Sequence, residues 1–144
     1  MIEQDTVRLL RECDSGVKMG VASINEVLDG VQSASLKEIL VHCRNEHEQV
    51  STEIQKQLDR YCDEGKNPNL MAKTMSWMKT NMMLVLDDSD DRIADLMTDG
   101  CNMGVKSLSK YLNRYQAADE YSKDIAKRLI HLEAQLSADL RCYL

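Results

Sequence analysis

The chain has 144 residues, 43% apolar and 29% charged, with a net charge of −6, nine methionines, one proline and no phenylalanine. This length suits a single domain spanning residues 1–144 with a core that needs no staples. The acidic balance without a basic stripe argues against a nucleic-acid partner, and no apolar run is long enough to span a bilayer.

A composition rich in Leu, Met, Ala, Lys and Glu points to a nearly all-helical chain. The acidic start, Met-Ile-Glu-Gln-Asp, has no signal-peptide character. Cys13, Cys43, Cys62, Cys101 and Cys142 are odd in number, scattered, and never spaced as Cys-x-x-Cys, which suits a reduced, cytoplasmic chain. Cys13, Cys43 and Cys101 fall on apolar stripes; Cys142 is the best candidate for an exposed thiol.

The first helix is expected over residues 3–31. Its stripe is Thr6, Leu9 or Leu10, Cys13, Gly16 or Val17, Gly20, Ile24, Val27 or Leu28, and Val31, in steps of three and four. Ser33 and Ala34 read as a turn, and Ser35-Leu-Lys-Glu38 as a capping box opening a second helix. That helix carries Leu36, Ile39 or Leu40, Cys43, His47, Val50, Ile54, and Leu58 or Tyr61, and ends near Cys62. So short a turn makes the two helices an antiparallel hairpin.

Residues 63–69 are the clear breaker, with Asn67 as a cap and Pro68 as first residue of a short helix over 70–84. Met71, Met75, Met78 and Met82 share one face of it beside Trp77. An apolar face on so short a helix must dock on something, and the expectation is a homo-oligomer joined through these methionines. A copper(I) site is the lesser reading of the same face.

The acidic run 87–91 lacks the glycine and terminal glutamate of a calcium loop and reads as a helix cap, with Ser89 as the capping residue. The third helix then carries Ile93, Leu96, Met97, Gly100 or Cys101, Gly104 or Val105, Leu108, Tyr111 or Leu112, and Tyr115. Glycine inside a helix costs about 1 kcal/mol against alanine, so Gly16, Gly20, Gly100 and Gly104 suggest close approach of neighbouring helices. After a stop near 116–118, Asp119 caps a fourth helix with Tyr121, Ile125, Leu129, Leu132 or Glu133, Leu136 and Leu140.

The chain also repeats itself. Cys13-Asp-Ser-Gly-Val-Lys18 matches Cys101-Asn-Met-Gly-Val-Lys106 at four positions, and Cys43, Val50 and Ile54 align with Leu129, Leu136 and Leu140. A helical hairpin written twice, with a long link between the copies, predicts the ferritin-like four-helix arrangement of two hairpins and one crossover.

On Leu36-Lys-Glu-Ile-Leu40, Asn45-Glu-His-Glu48, Ser76-Trp-Met78 and the stretch from Ile93 to Leu112, the chain resembles the small bacterial ferritin-like domains, whose activity is unassigned. That resemblance implies a ferritin-like bundle over nearly the whole chain. Di-iron members of the wider group use a Glu from each of two helices and a Glu-x-x-His from each of the other two. Here the residues three before His42, His47 and His131 are Ile39, Arg44 and Arg128, so no Glu-x-x-His exists.

The repeat sets His47 opposite Glu133, and counting back across the turns places His47 near Gly20 or Val21 and Glu133 near Asn102 or Met103. A polar pair satisfied by itself is the expectation there. His47 and Glu133 are also the candidate ligands of an incomplete iron or manganese site. Cys43 and His47, four apart on one helix, could pair as a nucleophile and base, but a buried face is a poor place for a substrate. The expected function is therefore a non-catalytic ferritin-like bundle without a complete di-iron site or cofactor, acting as an interaction or stress-associated module. A metalloprotein with an unusual ligand set is the alternative.

Overall fold

In the computed structural model, residues 2–63 and 89–144 are described, and these form an all-α structure. Helix α1 is Ile2–Leu28, α2 Ala34–Arg60, α3 Asp90–Arg114 and α4 Glu120–Leu140, followed by a 3-10 turn at Arg141–Tyr143. A 27-residue helix such as α1 is about 40 Å long. None of the described helices is long and apolar enough to cross a membrane. The short helix expected over 70–84, its cap Asn67–Pro68 and the face of Met71, Met75, Met78 and Met82 lie outside the described residues.

The turns show how the helices are tied end to end. The Asp90 carboxylate accepts from Gln32 N at 2.8 Å and Ser33 N at 2.9 Å, so α3 begins at the α1–α2 turn. At the other end, Ala117 N donates to Asp5 and Asp119 N to Thr6 Oγ1, which seats the α3–α4 turn on the first turn of α1. The Tyr143 hydroxyl meets that of Ser35 at the start of α2. Hence α1 runs antiparallel to α2 and α3 and parallel to α4, and α2 ends at the opposite end of the bundle from where α3 begins. Packing is heaviest within the pairs α1–α2 and α3–α4, while α1–α3 and α2–α4 close the ring.

Local chemistry sets most boundaries as expected and moves two. Ser33, rather than Ser35, caps α2, its hydroxyl accepting from Leu36 N at 3.3 Å. The N3 position is then Leu36, which carries no acceptor, so the expected capping box with Glu38 does not form. Helix α1 stops at Leu28 instead of Val31; Gly30 N turns back to the Val27 carbonyl, and Val31 still packs on the core from the turn. Asp119 caps α4 by accepting from Ser122 N at 2.8 Å.

The end of α2 is closed by a residue in the left-handed region. Cys62 has φ 53°, with its N–H on the Asp59 carbonyl and the N–H of Asp63 on that of Leu58. This is a Schellman closure, a position that favours glycine because a Cβ there is strained. Cys62→Gly should therefore raise the melting temperature by about 2–4 °C, corresponding to about 1 kcal/mol; a lower melting temperature would show that the thiol supplies more than the strain removes.

Inside the bundle the expected stripes are largely buried: Leu9, Leu10, Cys13 and Val17 on α1, Leu40, Cys43, Val50 and Ile54 on α2, Ile93, Met97, Cys101 and Leu108 on α3, and Ile125, Leu129, Leu136 and Leu140 on α4. Tyr121 is an exception. It is 47% exposed, its hydroxyl reaching Glu53, and the neighbouring Ser122 takes the buried position. Glu53 also takes a bidentate pair from Arg128, clamping α2 to α4, and that guanidinium holds its carboxyl below the ordinary range.

The apolar core falls into two clusters, one containing Val17, Val50, Leu108 and Leu129, the other Ile24, Cys43, Cys101 and Leu136. Each helix crosses from one to the other through a single intervening layer. Its residues are Gly20, His47, Gly104 and Glu133.

Candidate functional site

Between the two core clusters, the layer holds a charged pair contributed by α2 and α4. His47 Nε2 stands 2.8 Å from Glu133 Oε1; the His47 side chain is 1% exposed and that of Glu133 14%. The other ring nitrogen, Nδ1, lies 2.8 Å from the Cys43 carbonyl oxygen and 3.5 Å from Cys43 Sγ. Burial alone would strip the ring of its charge. The hydrogen bonds to Cys43 and Glu133 and the carboxylate's charge outweigh it and raise the His47 pKa to about 10. The ring is therefore an imidazolium near neutral pH, donating from Nδ1 to the carbonyl and from Nε2 to Glu133.

Cys101 completes the cluster from α3. Burial, followed by the charge and hydrogen bond of Glu133, pushes its thiol far above the ordinary range. It stays protonated and donates to the carboxylate. On α1, burial pushes the Cys13 thiol up to about 12. Neither thiol is available as a thiolate nucleophile.

A pH dependence follows. The folded pKa of His47 lies above its ordinary value of 6.5, so the stability from its proton is fully present below about pH 6.5 and is lost as pH rises through about 10. Urea unfolding at a series of pH values should show wild-type stability falling across that window, with the fall absent in His47→Gln. Equal slopes in the two proteins would refute the imidazolium.

The glycines divide into two kinds. A Cβ built on Gly20 would stand 3.1 Å from His47 Cδ2 and 3.2 Å from Nε2; one on Gly104 would stand 3.4 Å from the Glu133 carboxylate. These two do mark close approach, of side chains rather than of helix backbones. Among the described residues, a Cβ on Gly16 or Gly100 would meet nothing within 4 Å. The expectation of close helix contact at Gly16 and Gly100 is thus corrected: both face open space.

That space is a cavity of about 370 Å³ between α1 and α3. Its floor is His47 and Glu133. Gly16, Gly20, Gly100 and Gly104 line it, with Ser15, Ser23 and Ser107, and apolar side chains such as Leu96, Leu108 and Leu136 make the rest of the wall. Met103, 52% exposed, lies at its mouth. The volume is at the lower end of the roughly 300–1,000 Å³ typical of small-molecule sites.

Sequence reasoning set His47 opposite Glu133 and beside Gly20 or Val21, placed Glu133 near Asn102 or Met103 where the structure has Gly104, and missed the hollow beside them. The available signal was the run of small residues on the facing stripes of α1 and α3. Also missed was Asp14, 1% exposed, which is satisfied by Lys18 Nζ at 2.7 Å one turn on.

The residues of the layer do not fit a di-iron centre. They supply one carboxylate and one imidazole whose nitrogens are both engaged, and two helices contribute glycine where a carboxylate would be needed. Among the described residues, no three His, Cys, Asp or Glu side chains are grouped so as to hold a metal ion. Compared with models of known protein families, with curated proteins and with solved structures, the chain matches none.

Proposed function

We propose that the chain is a non-catalytic, ferritin-like helical bundle without a metal centre, and that it acts as an interaction module by holding a small, largely apolar molecule between α1 and α3. The observation that carries this reading is the middle layer. Two helices place His47 and Glu133 there, and the other two place Gly20 and Gly104. A di-iron bundle needs a carboxylate from each of those two helices. Glycine removes the ligand and leaves room, and Gly16 and Gly100 extend that room one turn further on each helix. The antiparallel pairs α1–α2 and α3–α4, with α2 ending far from the start of α3, support the ferritin-like arrangement. Five free cysteines agree with a cytoplasmic setting.

A helix-interior glycine is less stable than alanine by about 1 kcal/mol, so four of them at one hollow represent a standing loss of stability. Filling a packing defect would gain stability and cost nothing else, whereas filling a binding site would gain stability and lose the ligand.

The metal question has a direct test. Protein purified from medium supplemented with iron, manganese and zinc is expected to contain none of them in near-stoichiometric amount. Near-stoichiometric metal that disappears in His47→Ala would overturn the reading and restore the alternative, an iron or manganese protein using His47 and Glu133.

A further inference from the structure

Resting on the reading that the cavity takes a small molecule, we propose that this molecule is an organic cation, an apolar body carrying one ammonium group that sits on the Glu133 carboxylate. Among the described residues, the ionisable side chains lining the cavity are Glu12, His47, Cys101, Tyr111 and Glu133, and no lysine or arginine reaches it. Both N–H groups of His47 are spent, one on the Cys43 carbonyl and one on Glu133 Oε1. A carboxylate or phosphate entering the cavity would therefore find no cationic donor and would face two carboxylates.

Glu133 is placed to accept more. A carboxylate has about four lone-pair sites, and its known donors are His47 Nε2 and the Cys101 thiol. Its Oε2 lies 3.4 Å from where a Gly104 Cβ would be, on the side where the glycine leaves the carboxylate open. An ammonium N–H donating there makes a charge-assisted hydrogen bond, and partial removal from water strengthens it. The apolar body then lies along the leucine and methionine walls, whose thioethers adapt to irregular shapes.

The test is an NMR titration of the whole chain with three probes of one shape: 4-phenylbutylamine, 4-phenylbutanol and 4-phenylbutanoate. The amine is expected to bind about tenfold more tightly than the alcohol, and the acid most weakly. Glu133→Gln should bring amine and alcohol to within a factor of about two, while Glu12→Gln, which removes a more distant charge, should narrow their ratio by less. An alcohol that binds as tightly as the amine would overturn the proposal, as would a preference that survives Glu133→Gln or falls further in Glu12→Gln than in Glu133→Gln.

If Glu133→Gln does not fold, nuclear Overhauser contacts in the wild-type protein decide. Contacts from the methylene beside the nitrogen to the Hα atoms of Gly20 and Gly104 support the placement; contacts confined to Met103 overturn it. Failure of all three probes to bind would instead count against the underlying reading of the cavity.

Discussion

Replacing His47 with leucine is expected to destabilise the bundle by about 3 kcal/mol, the usual penalty for removing one partner of a buried ion pair. Glu133 would lose its donor, with only the Cys101 thiol beside it and a 14% opening toward the cavity. The effect should be largely reversed in the double variant His47→Leu/Glu133→Leu, because two apolar side chains in place of a buried ion pair are often neutral or stabilising. Urea denaturation of the two single variants and the double variant reads this as a coupling of about 3 kcal/mol, the upper end of the range for residues in contact. A double variant no more stable than the weaker single one would show that the pair is not the unit described here.

The second large effect contrasts two glycines on the same cavity. Gly20→Leu should cost about 1–3 kcal/mol, since its Cβ would press at 3.1 Å on an imidazole held from both sides by Cys43 and Glu133. Gly104→Leu should fall in the same direction with a smaller effect, because the Glu133 side chain that it meets at 3.4 Å is longer and freer to shift. Among the described residues, a Cβ on Gly100 meets nothing within 4 Å, so the side chain of Gly100→Leu enters the cavity and the helix gains about 1 kcal/mol of propensity. Thermal melting should therefore separate Gly20→Leu and Gly100→Leu in opposite directions. A Gly100→Leu protein that melts below wild type would show that the space is not there.

Much of this arrangement was legible in the sequence because it rests on periodicity. The α2 stripe of Cys43, His47, Val50 and Ile54 is buried as its three-and-four spacing requires. The internal repeat set His47 opposite Glu133, and counting across a short hairpin turn put Gly20 beside them. These inferences work because hairpin geometry fixes level and helical period fixes face.

The rest was not legible because periodicity reports which way a residue points and not what it meets. Gly16 and Gly20 lie one turn apart on the same stripe, yet one faces a hollow and the other an imidazole. A polar side chain on a boundary can also turn either way. Tyr121 leaves the core because its hydroxyl finds Glu53, and Asp14 stays in it because Lys18 reaches back to it. The capping residue moved from Ser35 to Ser33 because two serines two apart offer the same chemistry, and only the turn, fixed by Asp90, chooses between them.

The central claim is that the α1–α3 hollow is a binding site. Its most direct measurement is titration of the neutral dye N-phenyl-1-naphthylamine, whose fluorescence rises in apolar surroundings, against wild type and Gly100→Leu. The account predicts saturable enhancement at one dye per chain in wild type, and its loss in a Gly100→Leu protein with unchanged helical content. Equal enhancement in both proteins, or none in wild type, would contradict it.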